Sequence, residues 1–409
     1  MTPQQISLLM FSSSPVRAGA EEHILQLLHG LDRNVFRLYF ACHPQLAELI
    51  EEDLPRDVEF FKLTLDHLSD FAGAFQLAKI VRKQGIQILH SHMSRASVFA
   101  SPIGWLGGAP LIVDTAHVRE FWRSGRRGSY AVDRFSARFV HSTIAVSNAV
   151  ARYLIEQKGI PAAKITVIHT APALRFSSQG EDRESKRRSL GIGESDRLIV
   201  VAARLEPQKG HRFLIEALPA VLQEFPRAQM VCLGEGSLRQ ELEALVAQRG
   251  LAANIRFAGY QTDVWNWFSA ADLSVLPSLF EGLPMTALES LAAGCPIVAT
   301  AVDGTPEVVF HEKTGLLLPP SNPDALAAAI RRMLRDPFKA REMANAGRDF
   351  VLDNFSVEKL VQRTQQFYLR AWEQRFGLTP LRVPGKEQAA PVQPNCGGPA
   401  RSEVGIGTH

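Results

Sequence analysis

Cysteine is scarce and scattered in this chain of 409 residues. The four cysteines, Cys42, Cys232, Cys295 and Cys396, form neither a CxxC pair nor a Cys/His cluster. The first three lie in or beside apolar runs, a position typical of reduced thiols in a hydrophobic core. We therefore expect a protein of a reducing compartment, the cytoplasm.

An excess of one charge and a membrane-spanning run are also missing. Lys and Arg total 45 against 42 Asp and Glu, so no global field favours nucleic acid as a partner. The apolar run at 6–11 is too short for a signal peptide, and no basic residue precedes Arg17. The charge-free stretch 96–113 contains Pro102 and Gly107, which favour a buried helix, a turn and a strand over a membrane span.

Short apolar runs alternate with amphipathic stretches along a chain that is too long for one hydrophobic core. In the first half, strands are predicted at 6–11, 35–42, 86–90, 111–114 and 143–146, and helices at 21–31, 71–84 and 130–139. In the second half, strands are predicted at 198–202, 229–233, 255–258, 273–276 and 297–299, and helices at 211–224, 237–248, 285–293 and 324–335. This alternation predicts parallel sheets covered on both faces.

The composition changes to Ser, Gln, Gly and alternating charges between the two halves, at 177–188. The sequence therefore predicts two doubly wound α/β domains, at 1–176 and 189–355, joined by a linker at 177–188 and facing a cleft. A helix is predicted at 356–376, with the N-terminal domain as its candidate packing partner. The Pro- and Gly-rich tail at 377–409 is expected to be disordered.

The strongest chemical signal is the segment 278–289, in which Glu281 and Glu289 flank a Gly-Leu-Pro turn. A helix is expected to begin near Met285, with its free backbone amides pointing into the cleft, where they favour an anion or a polar ligand. One carboxylate on the loop and one on the helix suit the hydroxyls of a sugar and a ribose. The alternative interpretation is a helix cap and a solvated side chain.

Two cations follow the first strand of the second half. Arg204 and Lys209 lie on a loop that ends in glycine before a helix, a pattern that suits a diphosphate. Arginine can bind two oxygens at once, whereas lysine supplies a point charge. The alternative is a pair of solvated surface cations.

Glycines and histidines also lie at predicted strand ends. Gly19 and Gly234 let a phosphate approach the backbone, although neither loop completes a dinucleotide fingerprint and both glycines are compatible with turn geometry alone. His90, His92 and His117 face the expected cleft. The His-x-His pair resembles a metal pair, but no third ligand at a useful spacing accompanies it and no Asp-x-Asp triplet occurs, so we predict no metal site.

Together these residues resemble glycosyltransferase family 4, the retaining glycosyl transferases of group 1. The resemblance spans about residues 5–375, and its most specific part is Glu281 to Glu289 followed by Gly304-Thr305-Pro306-Glu307. It implies the GT-B architecture, in which two Rossmann-like domains face each other across a cleft. The sequence departs from the family at Ala18, where glycine is usual, and at 169–172, where an Asn-Gly turn is usual.

The resemblance implies a role for each matching residue. It places Arg204 and Lys209 on the donor diphosphate, Glu289 on the ribose, and Glu281 and His117 beside the transferred sugar. The residues with implied catalytic roles are Glu281, His117, Arg204 and Lys209. The residues with implied donor contacts are Gly19, Arg204, Lys209, Gly234, Tyr260, Gln261, Glu281, Gly282, Leu283, Met285, Thr286 and Glu289.

The implied reaction is retaining, metal-independent transfer of a hexose-type sugar from a UDP- or GDP-sugar to a hydroxyl. The implied acceptor is a lipid-linked molecule or a polysaccharide of cell-envelope or exopolysaccharide synthesis, and no cofactor is expected. A nucleotide-sugar 2-epimerase or a sucrose-forming enzyme of the same architecture remains an alternative. A non-catalytic nucleotide-sugar-binding protein is a further alternative. The presence of Arg204, Lys209, Glu281 and Glu289 together argues against it, because a site without catalytic function should have lost some of them.

A basic, aromatic stretch at 117–141 suggests where the acceptor side lies. It carries Arg119, Arg123, Arg126 and Arg127, interleaved with aromatic residues. Such a pattern suits the surface of an anionic membrane, so we predict peripheral contact at the inner face of the membrane. The alternative is a solvated helix face.

Overall fold

The apolar runs of the sequence form two parallel β-sheets, each within its own α/β domain. In the computed structural model, the described residues are 5–65, 67, 70–92, 94–120, 130–172 and 183–377. Of the tail at 377–409 that was predicted to be disordered, residues 378–409 lie outside these ranges. No described helix is both long and apolar enough to cross a lipid bilayer.

The N-terminal domain is built on a seven-stranded sheet in the order β3-β2-β1-β4-β5-β6-β7. Its strands are β1 (Ile6–Ser12), β2 (Phe36–Cys42), β3 (Glu59–Lys62), β4 (Ile88–His92), β5 (Leu111–Ala116), β6 (Ser142–Ala145) and β7 (Ile165–Val167). Its helices are α1 (Gly19–Gly30), α2 (Pro44–Ile50), α3 (Phe71–Lys83), α4 (Ser94–Gly107), α5 (Ala131–Ser136) and α6 (Asn148–Tyr153). All pairings are parallel, with Ile6 opposite Phe36 and Leu8 opposite Ile88.

The C-terminal domain has a six-stranded parallel sheet in the order β10-β9-β8-β11-β12-β13. Its strands are β8 (Arg197–Ala202), β9 (Ala228–Leu233), β10 (Ile255–Gly259), β11 (Leu273–Leu276), β12 (Ile297–Thr300) and β13 (Leu316–Leu318). Its helices are α7 (Arg183–Ser189), α8 (His211–Leu222), α9 (Arg239–Gln248), α10 (Val264–Ala270), α11 (Met285–Ala292), α12 (Pro323–Arg335) and α13 (Pro337–Asn354), and α14 (Val357–Phe376) follows. Short helical turns lie at Glu51–Asp53, Leu154–Lys158, Ala162–Lys164, Pro207–Lys209 and Thr305–Glu307.

The predicted fold class, two doubly wound α/β domains facing a cleft, is confirmed. The predicted strands are all present, with ends that differ by at most two residues from the predicted ones. The strands that the pattern missed, β3, β7 and β13, have three or four residues and lie at sheet edges, where a short strand leaves almost no periodicity to detect. The stretch 96–113 forms α4, a turn and β5, as predicted.

Part of the predicted linker is structured. Residues 183–188 belong to α7, in which Arg183 and Arg187 lie one helical turn apart and both bind Asp272 of the C-terminal domain, at 2.5 and 2.9 Å. In the sequence, alternating charges are typical of a solvated segment. The two ion pairs to the partly buried Asp272 were therefore not predicted. Residues 177–182 lie outside the described ranges.

The last helix returns to the N-terminal domain. Buried residues of α14, among them Leu360 and Tyr368, belong to the same hydrophobic cluster as β1, β2 and α1. The Tyr368 hydroxyl lies 2.5 Å from Nδ1 of His90 on β4, and Nε2 of His90 lies 2.7 Å from the hydroxyl of Thr115 on β5. This buried polar chain connects α14 to the centre of the first sheet.

We expect Tyr368→Phe to lower the free energy of unfolding by about 1–3 kcal/mol, because it leaves Nδ1 of the buried His90 without a partner. Urea unfolding followed by tryptophan fluorescence measures this change. Tyr260→Phe is the matched control, since Tyr260 is exposed and its hydroxyl supports no buried group. Equal losses in both variants would contradict the proposed anchor.

Candidate active site

The centre of the site is formed by two loops of the C-terminal domain. They follow β8 and β11, which are neighbours at the point where the strand order of the sheet reverses, the usual place for a ligand in such a fold. The Leu279 amide donates to the Gln208 carbonyl at 2.7 Å, and Gln208 Nε2 donates to the Phe280 carbonyl at 2.9 Å. These bonds hold the loop of Arg204 and Lys209 beside the loop of Glu281.

Lys209 and Glu281 form a largely buried ion pair. Their Nζ and Oε1 atoms lie 2.6 Å apart, and the Ser278 hydroxyl donates to the same carboxylate oxygen at 2.6 Å. The Glu281 backbone amide donates to Asp303 Oδ2 at 3.0 Å. A lysine held by one carboxylate oxygen keeps N–H donors for an incoming anion.

Arg204 contributes an exposed cation to the same loop. Its guanidinium approaches Gln208 Oε1 at 3.5 Å and makes no ion pair within the described part of the chain. The Leu205 amide donates to the Glu235 carbonyl at 2.9 Å, so the loop that begins at Gly234 supports the loop that carries Arg204. The guanidinium is therefore available to an anionic ligand.

Helix α11 begins at Met285, after Pro284, and Glu289 lies about one turn along it. Burial first, and the charge of Glu22 second, raise the pKa of the Glu289 carboxyl to about 7. Glu22 belongs to α1 of the N-terminal domain, so Glu289 faces across the cleft. A carboxyl with this pKa changes its charge near neutral pH.

The two domains meet at Gly282. A Cβ atom at this position would lie 1.7 Å from the carbonyl oxygen of His117, so only glycine allows the two backbones to approach this closely. The Ser147 hydroxyl donates to the Gly282 carbonyl at 2.8 Å. Nearby, a Cβ at Gly19 would lie 3.2 Å from Met285 Cγ. Gly19 and His117 therefore lie beside the loop of Glu281.

Glu307 forms a second bridge between the domains. Its carboxylate accepts hydrogen bonds from the backbone amides of Asn148 and Ala149 at 2.9 Å, at the amino end of α6. His169 Nε2 lies 3.1 Å from the same carboxylate. Burial raises the pKa of Glu307, but these hydrogen bonds outweigh it, so the pKa is lowered. The family departure at 169–172 thus contributes an interdomain contact.

Known protein families match both halves of the chain. Residues 17–171 match the model described as Glycosyltransferase Family 4, and residues 182–350 match the model described as Glycosyl transferases group 1. The chain belongs to glycosyltransferase family 4. It is therefore a glycosyltransferase with the GT-B architecture that the motifs predicted.

Individual relatives align over most of this glycosyltransferase. It is 24% identical over 382 residues to the Escherichia coli UDP-Gal:alpha-D-GlcNAc-diphosphoundecaprenol alpha-1,3-galactosyltransferase, with 90% of this chain and 98% of that protein aligned. It is 28% identical over 379 residues to the GDP-mannose-dependent monoacylated alpha-(1-6)-phosphatidylinositol monomannoside mannosyltransferase of Corynebacterium glutamicum, with 89% and 97% aligned. The Anabaena HepE structure in complex with UDP-glucose has a TM-score of 0.77 at 20% identity, and the match covers 89% of this chain and 99% of HepE.

Several predicted donor residues lie around the two central loops. Gly282, Leu283, Met285 and Thr286 line the turn into α11. Tyr260 and Gln261 follow β10 at the carboxyl edge of the same sheet. Tyr260 is 65% exposed, whereas Gln261 Nε2 donates to the Ala258 carbonyl at 2.8 Å. No contact within the described residues connects these two side chains to the ion pair, so their role at the base stays a prediction.

Of the four arginines that were predicted to face a membrane, Arg119 instead faces the C-terminal domain. Arg119 points into the cleft, where its Nη1 lies 3.3 Å from Asp303 Oδ1 of the C-terminal domain. Composition could not reveal this, because the partner lies far along the chain. Arg123, Arg126 and Arg127 lie outside the described residues.

The prediction of no metal site rested on the lack of a third ligand near the His-x-His pair, whereas the structure brings a third histidine close to His92 and His117. His92 Nδ1 lies 3.3 Å from His117 Nε2, and His23 of the glycosyltransferase brings a third imidazole to the pair. Each of the three offers a nitrogen within 4.8 Å of the others. His90, by contrast, is fully engaged by Tyr368 and Thr115. The third histidine was missed because it comes from α1, in another part of the sequence.

Asp303 was also missed, although it contacts both Glu281 and Arg119. Its backbone has a φ of 40°, a left-handed conformation that is uncommon for residues other than glycine. In the sequence, the one feature that could have pointed to Asp303 was its position immediately before the Gly304-Thr305-Pro306-Glu307 motif. A residue in the left-handed conformation beside a ligand loop is a common feature of functional sites.

We expect Glu289→Gln to stabilise the ligand-free glycosyltransferase above pH 7 by up to about 3 kcal/mol. Because the folded-state pKa is raised above 4.5, wild-type stability falls as the pH rises from 4.5 to 7, and the glutamine variant lacks this contribution. Urea unfolding at pH 4.5 and pH 8 measures the difference, with the exposed Glu342→Gln as control. Parallel pH profiles for wild type and Glu289→Gln would contradict an ionising Glu289.

Proposed function

We propose that the enzyme is a retaining, metal-independent hexosyltransferase. It would move a sugar from a UDP- or GDP-sugar to a hydroxyl of a lipid-linked or polysaccharide acceptor. The observation that carries this proposal is the buried Lys209–Glu281 pair, 2.6 Å apart, on loops that also carry Arg204 and the amino end of α11. The pair offers a cation to a diphosphate and a carboxylate to sugar hydroxyls side by side.

The proposed chemistry is a separation of charge. Breaking the bond between the anomeric carbon and the phosphate oxygen leaves negative charge on the diphosphate and positive charge on the sugar ring. Arg204, Lys209 and the amides at the start of α11 stabilise the first, and Glu281 lies beside the second. Removing one such preorganised group typically costs about 10²–10³ in rate.

The contacts of Glu281 bear on the route by which the proposed retention would be achieved, since a route through a covalent enzyme intermediate needs a nucleophilic carboxylate. Lys209 and Ser278 both bind its Oε1, so this carboxylate is poorly placed to act as a nucleophile. In the proposed step, the acceptor oxygen forms its bond to the anomeric carbon on the face that the phosphate leaves. The acceptor proton passes to the departing phosphate oxygen, which removes the need for a separate base.

Relatives support the class of acceptor. The E. coli and Corynebacterium enzymes carry lipid-linked acceptors in their names, and one uses a UDP-sugar while the other uses GDP-mannose. We therefore propose a lipid-linked hydroxyl acceptor as the first class to test, with both nucleotides as candidate donors.

An apolar surface of the N-terminal domain supports peripheral membrane contact. Trp105 and Leu106 at the end of α4 are 55% and 65% exposed, and Phe135 on α5 is 52% exposed. Arg134 and Arg138 are exposed beside them. Aromatic side chains with neighbouring arginines suit the interface of an anionic bilayer.

The proposed reaction is tested by incubating the protein with UDP- and GDP-hexoses in the presence of chelator, with and without a polyprenyl-diphosphate-linked sugar. We expect nucleoside diphosphate release that depends on the acceptor, and a product whose anomeric configuration, determined by NMR, equals that of the donor. An inverted product, or a requirement for added metal, would contradict the mechanism. Donor isomerisation without an acceptor would favour the epimerase alternative, and donor binding without any turnover would favour the binding protein.

We expect Arg204→Ala to abolish the rise in melting temperature that saturating UDP or GDP produces, because bound ligand stabilises the folded state by mass action. The melting temperature of the ligand-free variant should not change, since Arg204 is exposed. Differential scanning fluorimetry measures both quantities. Arg212→Ala on α8, an exposed arginine paired with Glu241, is the control. Full stabilisation of the Arg204 variant would remove the diphosphate assignment.

We expect the double variant Trp105→Ser/Leu106→Ser to bind anionic vesicles roughly tenfold or more weakly at low salt, because two apolar anchors are lost. Vesicle co-sedimentation with phosphatidylglycerol measures the affinity. Phe338→Ser, at an even more exposed apolar position on the C-terminal domain, is the control. If both variants bind like the wild type, the membrane surface lies elsewhere or does not exist.

A further inference from the structure

Three histidines from three elements converge beneath the cleft. His23 comes from α1, His92 ends β4 and His117 follows β5. Their ring centroids lie 5.2 Å apart for His23 and His117, and 5.6 Å apart for the other two pairs. The parallel sheet brings the ends of β4 and β5 together, and α1 covers them. The cluster therefore follows from the fold.

The ring nitrogens of this histidine cluster are not fully used by the protein. Neither nitrogen of the buried His23, nor Nε2 of the buried His92, has a hydrogen-bond partner among the described residues. A buried polar atom without a partner costs stability, so its presence points to a ligand or a function.

The spacing matches a metal site with one open position. Two nitrogens bound tetrahedrally to one zinc ion at about 2.0–2.1 Å lie about 3.3 Å apart. The distance from His92 Nδ1 to His117 Nε2 is 3.3 Å, and the third ligand atom lies within 4.8 Å of both. A shift of the His23 ring nitrogen by about 1.5 Å or less brings it to the same spacing and completes a three-histidine set. Neutral imidazoles are suitable ligands for zinc, copper, cobalt and nickel ions.

We propose that His23, His92 and His117 form a binding site for a divalent transition-metal ion, and that the bound ion blocks sugar transfer. His117 is the least buried of the three and lies against Gly282 in the cleft. Coordination would take its ring nitrogen away from the sugar. The inhibition of transfer rests on the proposed function, because the proposed function places His117 beside the transferred sugar. The metal site itself does not rest on the proposed function.

The binding test uses protein without a polyhistidine tag, titrated with Co²⁺ alone. We expect the intense visible absorption of a tetrahedral cobalt site, which Zn²⁺ displaces and Mg²⁺ does not. His23→Gln should weaken Co²⁺ binding by more than about tenfold, since loss of a ligand costs at least as much as loss of a supporting group. His29→Gln, an exposed histidine of the same helix, should bind like the wild type. If His23→Gln does not fold, His92→Gln replaces it in this test, with the same expected loss of Co²⁺ affinity.

Weak octahedral absorption, or a Co²⁺ affinity unchanged by His23→Gln and His92→Gln, would overturn the site.

The inhibition of transfer is tested separately. Zn²⁺ is added to the transfer assay, and each rate is divided by the metal-free rate of the same variant. We expect wild type and His29→Gln to be inhibited at similar zinc concentrations, and His23→Gln to require more than about tenfold higher zinc. Inhibition of all three at equal concentrations would contradict inhibition through this site. If no transfer is detected at all, the cobalt spectra still decide the metal site.

Discussion

The structure depends on the close contact of two backbones at Gly282. The space there does not hold even one methyl group, because a Cβ would lie 1.7 Å from the His117 carbonyl oxygen. Ser147 binds the Gly282 carbonyl from the N-terminal domain, and Gly304 lies against the same carbonyl from within the C-terminal domain. The loop of Glu281 is therefore fixed between the domains rather than attached to one of them.

This contact determines what the cleft offers to a ligand. It holds the Lys209–Glu281 pair and the amino end of α11 on one side, and His117 with the loop of Gly19 on the other. In the proposed binding mode, these cations and amides bind the diphosphate of a nucleotide sugar, and the carboxyl groups bind its hydroxyls. The Glu307 bridge, which binds the amino end of α6, adds a second point at which relative domain movement would break charge-assisted hydrogen bonds.

The sequence predicted those parts of the molecule that have a local pattern. The ten predicted strands, α11 and the loops of Arg204 and Glu281 all follow from periodicity and from glycine or proline at their ends. Contacts between distant segments left no such signal. The position of Arg119 against Asp303 is one case, and the approach of His23 to His92 is another, because each depends on how sheets and helices are stacked. Long-range pairing was available only through the family resemblance, which fixes an order of motifs but not the partners of each side chain.

We propose that Lys209 and Arg204 together hold the donor diphosphate at the amino end of α11. A structure determined with a non-hydrolysable UDP- or GDP-hexose tests it most directly. We expect phosphate oxygens within hydrogen-bonding distance of Lys209 Nζ and the Arg204 guanidinium, with the ribose at Glu289 and the hexose beside Glu281. A nucleotide bound in the cleft with its phosphates away from both cations would contradict it.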